Sequence, residues 1–135
     1  MIISAKGRYA LCVMIDLAEN NNGSYIPMKE VAERQGLPFK YLARIMSILA
    51  RNHVVDTIPG KSGGYRLNRK PEEYTLGEIL RLIDGKFAPV ACLAYATEPC
   101  EQSSQCRTLP VWKNLQNMVD SYLDSITLKD LMCRE

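Results

Sequence analysis

Histidine occurs once in this 135-residue chain, at position 53, and that scarcity closes several chemistries. A Ser-His-Asp or Cys-His arrangement needs an imidazole beside a nucleophile, and His53 falls in a turn between two patterned segments. A phosphate-cradling glycine loop is missing as well, because "PGKSGGYRL" at 59–67 leads into a strand pattern and not into a helix. The chain is therefore expected not to be an enzyme. No apolar run reaches membrane-spanning length, and the opening "MIISAKGRYA" lacks the long apolar stretch of a signal peptide. Both absences predict a cytoplasmic protein with no membrane partner. Internal repeats and low-complexity tracts are also wanting.

The 135 residues suit one domain, or one domain plus an extension, and can bury a core without disulfides. In a reducing compartment, cysteines that cluster serve metal binding or redox sensing more often than structural bridges. Three of the five cysteines lie in "CLAYATEPCEQSSQC", residues 92–106, among polar, turn-forming neighbours. Charge is unevenly spread. Residues 1–70 hold 11 Lys and Arg against 5 Asp and Glu, a net +6, whereas residues 71–135 hold 6 against 10, a net −4. A basic half joined to an acidic half suggests a polyanion-binding module with a second function appended.

Along the chain, Ala10, Val13, Met14 and Leu17 repeat at the spacing of one helix stripe, predicting a helix over 5–20 closed by "NNNG". A short second helix is expected over about 28–35, with Val31 and Ala32 inward and Gly36 as its stop. A third follows "QGLP", with Pro38 in its first turn and Leu42, Ile45, Met46 and Leu49 as its apolar stripe. Lys40, Tyr41, Arg44, Ser47 and Arg51 occupy its other faces. Two helices joined by a four-residue bend form a helix-turn-helix. The next segment reads as strand, glycine-rich turn and strand, Val54 to Ile58 and Tyr65 to Leu67, with Lys61, Arg66, Arg69 and Lys70 supplying positive charge. A basic hairpin directly after a helix-turn-helix is a winged helix.

"YTLGEILRLIDG" opens another helix, with Thr75 and Glu78 as a capping box, Leu76, Ile79, Leu80 and Ile83 as its stripe, and Gly85 at its end. A long helix begins near Pro110 and aligns Val111, Leu115, Met118, Val119 and Tyr122; Thr127 then caps a short terminal helix. The expected fold is mainly α with a small β-hairpin: a winged helix-turn-helix over 1–70, then a linker helix, a cysteine loop (87–108) and a dimerisation helix over 71–135.

Four stretches together, "SAKGRYAL" at 4–11, the Tyr41-Leu42 pair, "GKSGGYRL" at 60–67 and "YTLGEILRLIDG" at 74–85, resemble the Rrf-type winged-helix transcription regulators. The resemblance spans nearly the whole chain. It implies a homodimer whose long helix near 110–124 crosses its partner, and a [2Fe–2S] or [4Fe–4S] iron–sulfur cluster held by Cys92, Cys100 and Cys106. Their C-x7-C-x5-C spacing lacks the C-x2-C knuckles of zinc ribbons, and thiolates are the usual ligands of iron–sulfur clusters. A thiol switch or an incidental placement are the other readings of the three. The fourth ligand departs from the family's patterns. Leu109 stands where the iron–sulfur branch has histidine, and Lys6-Gly7-Arg8 offers no carboxylate of the kind the nitric-oxide branch uses. Glu98, Glu101, Cys12, Cys133 or an exogenous thiol or water remain as candidates. Cys12 and Cys133 fall within apolar helical patterns, as core or interface filler. In the cysteine-metabolism branch the regulator carries no cluster and is partnered by cysteine synthase.

The expected partner is a double-stranded DNA operator. The N-terminal part of the second helix of a helix-turn-helix enters the major groove, which puts Phe39, Lys40, Tyr41, Ala43 and Arg44 at or near the bases. Arg44 suits bidentate contact to guanine, and Lys40 suits base or phosphate. The alternative for Phe39 and Tyr41 is packing on the first two helices. Lys61, Ser62 and Gly63 form the wing tip, where relatives have an arginine at the position of Pro59, and Arg8 is a candidate phosphate contact. A dimer presents two such helices to half-sites roughly 34 Å apart.

Overall fold

The computed structural model describes residues 3–60, 63–90, 93 and 106–132. Its first helix, α1 (Ala5–Glu19), starts at Ser4, whose hydroxyl accepts from the Gly7 amide at 2.9 Å. The Ser4 hydroxyl also donates to Asp84, and the Ser4 amide donates to the other carboxylate oxygen at 3.1 Å, tying the start of the chain to a later helix. Ala10, Val13, Met14 and Leu17 are all buried, as their spacing requires. Cys12 is the exception on this helix. It is exposed, because it lies about 150° round the helix from the centre of the buried stripe, so it is not core filler.

Helix α2 (Met28–Gln35) buries Val31 and Ala32 and stops at Gly36, whose φ of +64° suits a residue without a Cβ. Helix α3 (Phe39–Arg51) follows at once. Pro38 is its N-cap and not a first-turn residue, holding extended backbone at ψ 137°. Leu42, Ile45, Met46 and Leu49 are fully enclosed and form the middle of the core.

Strands β1 (Val55–Ile58) and β2 (Gly64–Leu67) pair antiparallel, from Val55↔Leu67 to Ile58↔Gly64. A third chain segment joins them, which periodicity could not announce. Ile26 exchanges both backbone hydrogen bonds with Tyr65, at 2.8 and 2.9 Å. Gly64 permits this approach, since a Cβ there would stand 2.2 Å from the Ile26 carbonyl oxygen.

After a 3-10 turn (Pro71–Glu73), helix α4 (Leu76–Asp84) begins behind Thr75. The expected capping box is only half formed: the Thr75 hydroxyl accepts from the Glu78 amide at 3.1 Å, but the Glu78 carboxylate pairs with Arg69. Ile79 and Leu80 are buried, while Leu76 and Ile83 at the edge of the stripe are half-buried. Helix α5 (Leu109–Ser125) and the short α6 (Leu128–Leu131) complete the chain. Thr127 caps α6 and Asp130 returns the bond, a reciprocal box. Leu128 then inserts into the same core as Tyr74, Ile79 and the α1 and α3 stripes.

Arg81 joins α4 to α5 through Asp124 at 2.5 Å and Asp120 at 3.7 Å, and Gln116 donates to the Phe87 carbonyl at 2.8 Å. The outer face of α5 is apolar: Val111, Leu115, Met118 and Tyr122 are exposed, Met118 to 69%. Val119 is not part of that face. It turns toward α4 and lines an apolar cleft of about 550 Å³ with Leu80, Phe87 and Leu123.

Candidate nucleic-acid interface

A buried carboxylate fastens the first helix of the helix-turn-helix to α1. Asp16 on α1 is 4% exposed and receives Arg34 Nη2 at 2.7 Å, Arg34 Nε at 3.0 Å and Gln35 Nε2 at 2.9 Å. The last turn of α2 is thus clamped to α1, and α3 departs from a fixed point. The Asp16 hydrogen bond raises the Arg34 guanidinium further above its ordinary range. Sequence reading passed over this clamp, although an aspartate among Val13, Met14, Leu17 and Ala18 is a usable signal of a paired buried charge.

The exposed side of α3 carries Phe39, Lys40, Arg44, Ser47 and Arg51. Phe39 is 54% exposed and does not pack inward. Tyr41 is half-buried and meets Tyr9 of α1 edge-to-face, with ring centroids 5.8 Å apart. Arg8 on α1 is exposed, next to Tyr9. Ala43 is half-buried behind Arg44. Among the described residues, Lys40, Arg44 and Arg8 enter no ion pair, whereas Arg34, Arg69 and Arg81 each have an acidic partner. This sorting separates cations free to meet phosphate or base edges from those spent inside the fold.

The hairpin is sorted in the same way. Arg69 holds Glu78 through both guanidinium edges, at 2.6 and 3.1 Å, so the positive charge expected of it at the wing is neutralised. Arg66 stacks 4.3 Å over the Tyr25 ring and donates to the Gly23 carbonyl at 3.0 Å. Gly63 is buried, where a Cβ would lie 2.2 Å from the Ile58 carbonyl oxygen. Lys61 and Ser62 lie outside the described residues. His53 is exposed at a φ of +59°, and its carbonyl accepts from Asn68 at 2.8 Å; its place is a turn.

Of the three loop cysteines, Cys106 is described, and Cys92 and Cys100 lie outside the described residues, as do Glu98, Glu101 and Cys133. Cys106 stands just before α5. The Thr108 hydroxyl 3.5 Å away, with backbone amides of Thr108 and Leu109, favours the thiolate and holds this thiol below the ordinary range. A partly exposed thiol with that bias has the chemistry of a ligand or of a reactive sulfur. Among the described residues no three His, Cys, Asp or Glu side chains converge.

A helix-turn-helix, a three-segment hairpin beside it and unpaired cations along the second helix define a winged-helix DNA-binding protein. Residues 3–134 match Rrf2, "Iron-dependent Transcriptional regulator". The HTH-type transcriptional regulator IscR of Aliivibrio salmonicida is 33% identical over 132 residues, covering 98% of this chain and 77% of that one. Among solved structures, CymR, the global cysteine regulator of B. subtilis, superposes with a TM-score of 0.76 at 34% identity, covering 97% of this chain and 95% of its own. T. potens IscR gives 0.74 at 30% identity, covering 97% and 85%. The chain belongs to the Rrf2 family of transcriptional regulators.

Proposed function

We propose that this regulator binds its operator as a homodimer and senses iron–sulfur, redox or nitric-oxide status through Cys92, Cys100 and Cys106. Residues 1–70 carry the DNA surface, and residues 71–135 carry sensing and pairing. The observation that carries the DNA part is the unpaired, exposed Lys40 and Arg44 on the N-terminal half of α3. Arg44 reads base edges, Lys40 reads base or phosphate, and Phe39 and Tyr41 flank them. Arg8, Lys61 and Ser62 contact the backbone or minor groove to either side, whereas Gly63 is buried with its amide already donating to the Gly60 carbonyl, so the sequence expectation of a DNA contact there is dropped. The exposed apolar face of α5 is where two copies meet.

For sensing, the support is Cys106 at the root of that same helix, where the Thr108 hydroxyl and the neighbouring backbone amides lower its thiol from the ordinary range. When bound, an iron–sulfur cluster supplies a centre sensitive to oxidant, nitric oxide and iron supply. Cys92, Cys100 and Cys106 would hold such a cluster, and ligation through Cys106 would couple it to the start of α5 and so to the separation of the two α3 helices. A second reading is favoured by the likeness to CymR and by Leu109 standing in place of a histidine: a cluster-free regulator of cysteine metabolism that acts through a thiol switch or a partner such as cysteine synthase.

Anaerobic purification, an absorption spectrum and an iron and sulfide assay separate the two. Visible absorbance with iron and sulfide supports the first reading, and a colourless, iron-free protein supports the second. Operator affinity of holo and apo protein across a salt series then tests the coupling, which equal affinities would refute.

A further inference from the structure

The phenol of Tyr74 is completely buried and joins both legs of the hairpin at its base. It donates to the Val54 carbonyl at 2.8 Å, immediately before β1, and accepts from the Asn68 and Arg69 amides at 3.0 and 3.1 Å, immediately after β2. Val54 and Asn68 are the next positions beyond the Val55↔Leu67 pair, so one side-chain oxygen closes the ladder where its backbone bonds end. Asn68 adds a bond to the His53 carbonyl on the entering leg.

The same tyrosine belongs to the root of α4. It directly precedes the Thr75 cap, and its own carbonyl accepts from Leu128 at 3.1 Å. Arg69 lies 4.4 Å over its ring and grips Glu78 in the first turn of α4. The hairpin base is therefore bolted to α4, and α4 is bolted through Arg81 to α5.

We propose that Tyr74, backed by the Arg69–Glu78 pair, is a positioning residue that aims the wing at DNA and couples its direction to the placement of α4. The proposal rests on the wing reading above. A two-stranded hairpin has little stiffness of its own and takes its direction from whatever holds its base. The described strands are four residues long, about 13 Å, so a tilt of about 10° at the base moves the tip by about 2 Å. That displacement exceeds the tolerance of a hydrogen bond to phosphate. The clasp also accounts for Arg69, a cation withdrawn from the wing to hold it.

The test uses full-length chain prepared anaerobically and a duplex selected by the wild-type protein from a random-sequence pool. Hydroxyl-radical footprints of wild type, Tyr74→Phe and Glu78→Gln are compared, with affinities across a salt series and amide exchange at Asn68 and Arg69. Wild type should protect a centre, from α3, and a flank, from the wing. Tyr74→Phe should keep the centre, lose the flank, bind about tenfold more weakly and show a salt slope smaller by about 1 per lost phosphate contact. Exchange at Asn68 and Arg69 should quicken, and Glu78→Gln should show the same pattern more weakly. Flank protection retained in both variants overturns the proposal. So does equal loss of centre and flank, which marks a folding role alone. A wild-type footprint without a flank defeats the wing reading itself, before any variant is compared.

Discussion

Arg34 meets the buried carboxylate of Asp16 along one edge, Nη2 to Oδ1 at 2.7 Å and Nε to Oδ2 at 3.0 Å, so the last turn of α2 is fastened to α1 by a paired charge. The partners are unequally placed: the Asp16 side chain is 3% exposed and that of Arg34 36%. Arg34→Ala should strand the carboxylate with Gln35 alone and cost about 3–5 kcal/mol. Asp16→Ala should cost less, because the freed guanidinium can turn into water. Urea denaturation of both variants checks the order, and an Arg34→Ala cost near zero would remove the clamp from the account.

Arg44 and Lys40 share the exposed side of α3 but are assigned different work. Arg44→Ala should lose about 1–3 kcal/mol of operator affinity and accept substitutions at one base pair of each half-site. Arg8→Ala should weaken binding evenly across sequences and lower the salt slope by about 1. Titrations of matched and single-mismatch duplexes at several salt concentrations distinguish the two signatures.

Val111, Leu115, Met118 and Tyr122 place four large apolar side chains in water along one face of α5. A continuous apolar face of this kind marks an interaction surface. Met118→Glu should convert a dimer to a monomer in sedimentation velocity while leaving the far-ultraviolet circular dichroism unchanged. A wild-type monomer at the same concentration would refute pairing through α5.

Burial pushes the Tyr74 phenol above the ordinary tyrosine range. Below about pH 10 the phenol is neutral in folded and unfolded chains alike, and its contribution is complete. As pH rises past that value the unfolded chain ionises first, the native state holds the extra proton, and stability falls. Urea midpoints measured from pH 8 to 11 should therefore drop more steeply for wild type than for Tyr74→Phe. Parallel curves would show that this phenol titrates alike in both states.

Much of the architecture was legible because it follows from period and punctuation. The stripes of α1 and α3 emerged from 3.6-residue spacing, Gly36 and Gly85 marked ends, and the glycine-rich turn between apolar runs announced the hairpin. Legibility failed where partners come from far along the chain. Glu78 has the spacing of a capping box, yet an arginine nine residues earlier takes its carboxylate. Val119 continues the α5 stripe in sequence, yet it lines the cleft that α5 shares with α4. Ile26 makes a single bridge, too short to carry a period.

The DNA-reading candidates show the same divide. Lys40 and Arg44 on α3 and Arg8 on α1 could be named because exposed cations need no tertiary partner. Arg69 and Arg66 are equally basic, and only the fold shows that one is neutralised by Glu78 and the other stacked on Tyr25. By itself the sequence determined the helices, the hairpin and the family, since local periodicity and turn chemistry act over a few residues. Which cations remain free, which apolar face stays in water and which phenol holds the hairpin were decided by tertiary structure, because pairing and burial depend on distances between residues that the chain order leaves far apart.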